Sequence, residues 1–320
     1  MAPPLRPRME TRIRAGGWHA TCREVFQLDR YLKERAALVE RALSQTVPEP
    51  SGPDALLLEA MRYSLLGGGK RLRPILALAA CEAVGGAPER AIGFACAVEM
   101  IHNYSLIHDD LPCMDDDDLR HGHPTNHKVY GEAIATLSGD GLLTDAFKVL
   151  ARSACDGVPS SVVLQTVADL AQAAGSAGMV GGQVIDLQSE GRTLTLEELK
   201  LLHAKKTGAL FHVSIVGGAR LGGASEAQLA SLTEFAQALG LAFQVVDDLL
   251  DVEATTEQMG KRTGKDEAAG KATFPSLLGI EKSRQFAREL EHRALDALSA
   301  FGPTADPLRA IATFVVERKQ

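Results

Sequence analysis

AIGFACAVEMIHNYSLIHDDLPCMDDDD, residues 91–118, decides the architecture. From 91 to 107 it is apolar around most of a helical circumference, so it reads as a central helix rather than a peripheral one. Pro112 removes a backbone donor and disfavours helix before it, so the helix ends at Asp109 and Asp110. Asp115 then returns after a short irregular turn. Six carboxylates fall within the ten residues 109–118. Carboxylates crowded at the end of a buried helix need cations or basic side chains beside them. The ordinary alternatives are an acidic surface loop or a calcium loop. A helix-loop-helix calcium loop needs a glycine and a terminal glutamate at set spacings, and neither is present.

A second acidic set, Asp247-Asp248-Leu-Leu-Asp251, ends the apolar stretch 239–246. Asp247 and Asp251 stand at i and i+4, one turn apart on one helix face, where they can share a cation or flank one diphosphate. A solvated acidic face is the commoner use of such a triplet, but Phe243, Val245, Val246, Leu249 and Leu250 leave little polar surface for one. Oxygen-only donors suit magnesium, which also takes oxygens from bound phosphate.

Basic residues cluster elsewhere. Lys70, Arg71 and Arg73 follow a glycine run and precede a helix starting at Pro74, a natural phosphate site. Lys205-Lys206-Thr207 opens an apolar helical stretch, and Lys261, Arg262, Lys265, Asp266 and Lys271 form a glycine-punctuated loop. Each set alone is ordinary solvated surface. Two acidic sets with three basic ones in a helical chain point to magnesium-bridged diphosphate recognition.

The remaining segments follow the helical period: 28–43, 54–66, 74–85, 132–151, 161–174, 196–221, 226–250 and 277–300. Convincing strand alternation is absent. Ala, Leu and Val carry the apolar load and aromatics are only 5%, which favours helices. The reading is all-α, one domain from about residue 25 to 320. Net charge is −7, which argues against a nucleic-acid partner. No apolar run makes a convincing membrane span. Five cysteines without metal spacing read as reduced thiols of a cytoplasmic protein. Residues 1–23 carry Arg6, Arg8, Arg12, Arg14 and Arg23 against Glu10 alone, and 1–24 read as a flexible basic extension. An organelle transit peptide is the minority reading, because the stretch lacks serine.

On these motifs the chain resembles the trans-isoprenyl diphosphate synthases, most of all the bacterial-type farnesyl diphosphate synthases, with plant-type geranylgeranyl diphosphate synthases as near relatives. Asp109, Asp110 and Asp115 match the family's DDxxxxD motif, and Asp247, Asp248 and Asp251 its DDxxD motif. GGKRLRP (68–74), YSLIHDD (104–110), GGQVID (181–186), Lys206-Thr207 and Phe243-Gln244 also match, so the resemblance covers about 25–320.

The resemblance implies a helical bundle around a deep central cavity, with the two acidic motifs facing each other near its mouth. It implies a homodimer, and magnesium as cofactor, three ions with substrate bound, manganese being an alternative. By position, Asp109, Asp115 and Asp247 are the direct metal ligands. Asp110, Asp248, Asp251 and Asp266 bind metal water or orient the ligands. Arg120, Lys206, Thr207, Gln244 and Lys261 contact the allylic diphosphate. Lys70, Arg73 and His102 hold isopentenyl diphosphate, and Lys271 helps close the site. The implied reaction is head-to-tail condensation of isopentenyl diphosphate with dimethylallyl or geranyl diphosphate. In this family the residue five before the first motif, here Tyr104, with Ser105 beside it, belongs to the cavity floor. A tyrosine there favours farnesyl diphosphate; geranylgeranyl diphosphate is the alternative product.

One position departs from the pattern. Family members usually read Leu-Arg-Arg-Gly after the first motif, and this chain has Leu119-Arg120-His121-Gly122. Arginine is always charged and binds phosphate through two parallel bonds, whereas histidine titrates near pH ~6.5. His121 would thus hold isopentenyl diphosphate more weakly as pH rises. His121, His123 and His127 have no zinc-site spacing. A terpene cyclase is disfavoured because its second motif normally carries Asn, Ser or Thr, and Glu. A catalytically silent regulatory subunit is disfavoured because both acidic motifs are intact.

Overall fold

The computed structural model describes residues 26–154, 157–253 and 272–318. Lys261, Asp266, Lys271 and the basic N-terminal stretch lie outside the described residues. The described chain is a helical assembly: α1 (Leu28–Leu43), α2 (Ala55–Leu65), α3 (Leu72–Ala83), α4 (Ile92–Asp109), α5 (Asn126–Tyr130), α6 (Glu132–Arg152), α7 (Ser160–Ala174), α8 (Met179–Ser189), α9 (Leu196–His203), α10 (Ala209–Gly222), α11 (Glu226–Glu253), α12 (Phe274–Leu278), α13 (Ile280–Ala297) and α14 (Asp306–Glu317). The all-α reading holds.

The central position read for α4 also holds. Phe94, Ala95, Cys96, Ala97, Val98, Met100 and Ile101 are all buried, so the helix has no solvent stripe over two turns. It packs against α3 on one side and α6 on another. α10 lies across α3, and the two come close because Gly218 carries no side chain: a Cβ there would sit 2.1 Å from the Ala77 carbonyl oxygen. α11 packs on α10, α13 and α14. It is also the one helix among the described residues long and apolar enough to cross a membrane. Leu232, Phe235, Leu239 and Val245 of α11 are buried against neighbouring helices, which accounts for its apolarity within the bundle.

Four local features depart from the sequence reading. Residues 196–221 are not one regular helix: a π-helical turn, Ala204–Gly208, joins α9 to α10. The helix read over 277–300 is broken at Gly279, whose φ of 83° is outside the helical region. α8, which runs through Gly181-Gly182, is absent from the helices read from the sequence. A two-stranded antiparallel hairpin pairs Leu119 with Pro124 and Arg120 with His123. Its turn residues, His121 (φ 50°) and Gly122 (φ 82°), both lie in the left-handed region that tight two-residue hairpins require. Histidine tolerates that conformation better than most residues.

Candidate active site

The first acidic motif sits where α4 stops. The Asp115 amide donates to the Asp109 carbonyl at 2.8 Å, so the chain folds back over the helix end after Pro112. Asp110 is buried and accepts from Arg120 Nη2 at 2.5 Å and Nε at 2.9 Å. That bidentate pair ties the hairpin to the helix. Asp109 has a carboxyl pushed up to about 6 by burial and by neighbouring Asp115 and Asp110, against the opposing pull of Lys206 and Arg120. A half-buried carboxylate held among others is a place short of positive charge.

The second motif lies on α11. Asp248 is only 4% exposed and accepts from the Phe274 amide at 2.9 Å and from Gln244 Nε2 at 3.2 Å. Asp247, one residue earlier, turns the other way: its Oδ1 accepts from Arg318 Nη2 at 2.5 Å. Burial raises the Asp247 carboxyl, opposed by Arg318, Arg73 and Lys70. Asp251, a turn further on, is partly buried.

Basic and polar groups join the two motifs. Lys206 Nζ donates to Asp186 at 2.5 Å, and its charge reaches Asp109. Its neighbour Thr207 donates to Gln244 at 3.0 Å, which leads on to Asp248. The π-turn that presents Lys206 and Thr207 is held by α8: a Cβ on Gly182 would lie 2.3 Å from the Lys206 amide nitrogen, so only glycine lets the helices approach there. On the opposite side Arg73 Nη1 lies 3.3 Å from His102 Nε2. Burial, then Arg73, Arg120, His121 and Arg71, drives the His102 ring well below its usual pKa, so it is a neutral acceptor for Arg73. Arg73 also stacks over Phe211 at 4.8 Å. The result is an electrostatic circuit: the charges of Lys206 and Arg120 act on Asp109, those of Arg73 and Lys70 act on Asp247, and those of Arg73 and Arg120 act on His102, while hydrogen bonds run from Thr207 through Gln244 to Asp248.

The structure therefore brings together Asp109, Asp110, Asp247, Asp248, Lys206, Thr207, Gln244, Arg73, His102 and Arg120, with Lys70 in the field of Asp247. Asp115 is exposed on the same loop. Arg71, read as part of a phosphate cluster, turns inward instead, because its guanidinium is paired with Glu99 at 2.8 Å in the core. Tyr104 is buried, its ring edge-on to His108 with centroids 5.7 Å apart, and burial and then Asp109 raise its hydroxyl. Ser105 is turned back on its own helix, donating to the His102 carbonyl at 2.9 Å. His127 bonds Thr125 rather than its fellow histidines. Two residues with no assigned role belong to the circuit. Asp186 lies within the GGQVID segment, and Arg318, from beyond α14, has no local signal at all.

Among the described residues no group of three or more His, Cys, Asp or Glu side chains converges as in a preformed metal site. The donors that do face the circuit are carboxylate oxygens in pairs. That suits a cation which keeps water and completes its shell with phosphate oxygens.

The polyprenyl synthetase family model matches residues 54–298. The chain is 50% identical over 301 residues to the heterodimeric geranylgeranyl pyrophosphate synthase large subunit 1, chloroplastic, of Arabidopsis thaliana, covering 92% of this chain and 80% of that one. It is also 50% identical over 260 residues to the farnesyl diphosphate synthase of Geobacillus stearothermophilus, covering 81% and 87%. The crystal structure of a FPP/GFPP synthase from Zymomonas mobilis superposes with a TM-score of 0.82 at 43% identity, over 90% of this chain and 98% of that one. The chain belongs to the polyprenyl synthetase family, and its activity class is prenyltransferase.

Proposed function

We propose that the chain condenses isopentenyl diphosphate head to tail with an allylic diphosphate, releasing pyrophosphate, with magnesium as its cofactor. The observation that carries this reading is the electrostatic circuit: two acidic motifs on different helices, with Lys206 and Arg120 acting on Asp109 and Arg73 and Lys70 acting on Asp247. Asp109, Asp115 and Asp247 would hold the metal, with Asp110, Asp248 and Asp251 orienting it and its water. Magnesium supplies Lewis-acid neutralisation of the diphosphate charge.

Lys206, Thr207, Gln244 and Arg120 receive the allylic diphosphate, and Asp186 holds the Lys206 ammonium by accepting its hydrogen bond. The allylic carbon–oxygen bond breaks with its electron pair going to the diphosphate, where Lys206 and Arg120 stabilise the growing charge. Lys70, Arg73 and His102 hold isopentenyl diphosphate so that its double bond attacks the allylic carbon. A proton then leaves the new chain for the departing diphosphate, so no side-chain base is needed. Purified protein incubated with magnesium, isopentenyl diphosphate and dimethylallyl diphosphate tests this: a prenyl diphosphate product is expected, and none would reject it.

For product length, geranylgeranyl is the commoner name among the relatives, and we propose geranylgeranyl diphosphate as the first reading. Identity alone does not separate the products, since a farnesyl synthase matches equally well. Tyr104 favours farnesyl diphosphate as the second reading, because a large side chain five residues before Asp109 lies ~7.5 Å down the helix and limits chain growth. Tyr104→Ala is expected to lengthen the product on chromatography of the dephosphorylated alcohols. An unchanged distribution removes Tyr104 from the cavity floor. The chloroplastic names of plant relatives lend weight to the transit-peptide reading of residues 1–24, which a fluorescent fusion tests. A homodimer is part of the proposal, with light scattering as its check.

A further inference from the structure

We propose that Arg71 and Glu99 form a buried positioning pair that sets Lys70 and Arg73 for the diphosphate of the isopentenyl substrate. The inference rests on the functional reading above and adds two residues to it.

Arg71 stands in the middle of a basic run, yet it is 3% exposed, and Glu99 on α4 is 4% exposed. Arg71 Nη1 donates to Glu99 Oε1 at 2.8 Å and Nη2 to the Leu65 carbonyl at 2.8 Å. Glu99 is itself fixed by Asn103, whose amide nitrogen bonds the Glu99 carbonyl at 2.9 Å and reaches Oε1 at 3.4 Å. The backbone at Arg71 has φ 50°, a left-handed conformation that a residue with a Cβ resists. Arg71 is also the residue that caps α3. The side-chain anchor therefore holds the chain in its least favoured conformation at the point where the glycine loop becomes a helix.

That point decides where its neighbours go. Lys70 precedes the turn and stays exposed, in the field of Asp247. Arg73 follows it on the first turn of α3 and meets His102. His102 lies three residues beyond Glu99, on the same face of α4. One helix thus anchors the turn with Glu99 and receives Arg73 with His102. The loop also reaches the hairpin, since a Cβ on Gly69 would lie 3.6 Å from His121 Cε1. Stability alone does not call for this pair, because apolar residues of similar volume commonly serve as well as a buried ion pair or better.

The test compares wild type with the double variant Arg71→Met/Glu99→Leu, which removes both charges at similar volume, and with the single variant Glu99→Gln. The double variant is expected to melt near the wild-type temperature. Its KM for isopentenyl diphosphate should rise about tenfold, the scale of one lost charged hydrogen bond. Its KM for the allylic substrate should stay within about twofold, well under that same scale. Glu99→Gln, which leaves Arg71 buried without its counter-charge, should raise the same KM and also lower the melting temperature. Unchanged constants in a folded double variant would overturn the proposal, as would equal rises for both substrates. A double variant that does not fold assigns the pair to stability and overturns it too. Calorimetric binding of inorganic pyrophosphate in EDTA, weaker in the double variant by a similar factor, is read independently of turnover. If wild type shows no condensation, the functional reading fails while the pyrophosphate titration still decides the role of the pair.

Discussion

The two acidic motifs carry similar residues on different scaffolds. The first straddles a helix end: Asp109 and Asp110 finish α4, and Asp115 returns from an exposed loop closed by one backbone hydrogen bond to Asp109. The second lies within the regular helix α11. Yet each commits one carboxylate to the frame and presents another. Asp110 is spent on Arg120 and the hairpin, Asp248 on the Phe274 amide and Gln244. Asp109 and Asp247 are left facing the basic groups of the circuit, each with a carboxyl raised by burial. Adjacent aspartates are therefore not interchangeable: one of each pair builds the site and the other uses it.

The largest expected effect concerns the presented pair. Asp109→Ala or Asp247→Ala should each lower kcat by ~10²–10³ or more, as loss of a preorganised electrostatic contact does. The double variant should lose little beyond either single one, because residues acting as a unit are not additive. Steady-state kinetics at saturating magnesium checks both points, and fully additive losses would separate the motifs. A smaller effect distinguishes the framing residues. Asp248→Ala strands the buried Phe274 amide and should cost ~1–3 kcal/mol in urea unfolding. Asp110→Ala should cost less, since its partner Arg120 is 28% exposed at the side chain and can find water. Equal costs would break the distinction between a buried anchor and a partly exposed one.

The smallest effect lies at the hairpin tip. A histidine near an anion is charged below its pKa, ~6.5 when unperturbed, and neutral above it. The wild-type KM for isopentenyl diphosphate should thus rise from mildly acidic to alkaline pH more steeply than that of His121→Arg. A pH-independent ratio between the two would remove His121 from the site.

Much of this was legible in the sequence, for reasons that differ by region. The long helices follow from period and composition, and the burial of α4 follows from its lack of a polar stripe. The second acidic motif could be placed because i and i+4 spacing fixes one helix face, and the first because Pro112 stops α4 just after Asp109 and Asp110. The division of labour within them could not. Asp248 is anchored by an amide 26 residues further on, and Asp247 meets an arginine 71 residues away. Arg71 reads like Lys70 and Arg73 until α4 supplies Glu99. Gly181-Gly182 lie within α8 rather than at a turn, and Gly182 serves its close packing against Lys206. The break at Gly279 and the hairpin turn at His121-Gly122 depend on left-handed backbone that residue patterns signal weakly.

Binding of inorganic pyrophosphate, titrated by calorimetry with and without magnesium, tests most directly whether the two motifs grip one ligand. Wild type should bind markedly tighter with magnesium, and that gain should vanish in Asp109→Ala and in Asp247→Ala alike. A magnesium-dependent gain that survives either substitution would show that the motifs do not share a diphosphate, and would contradict the account.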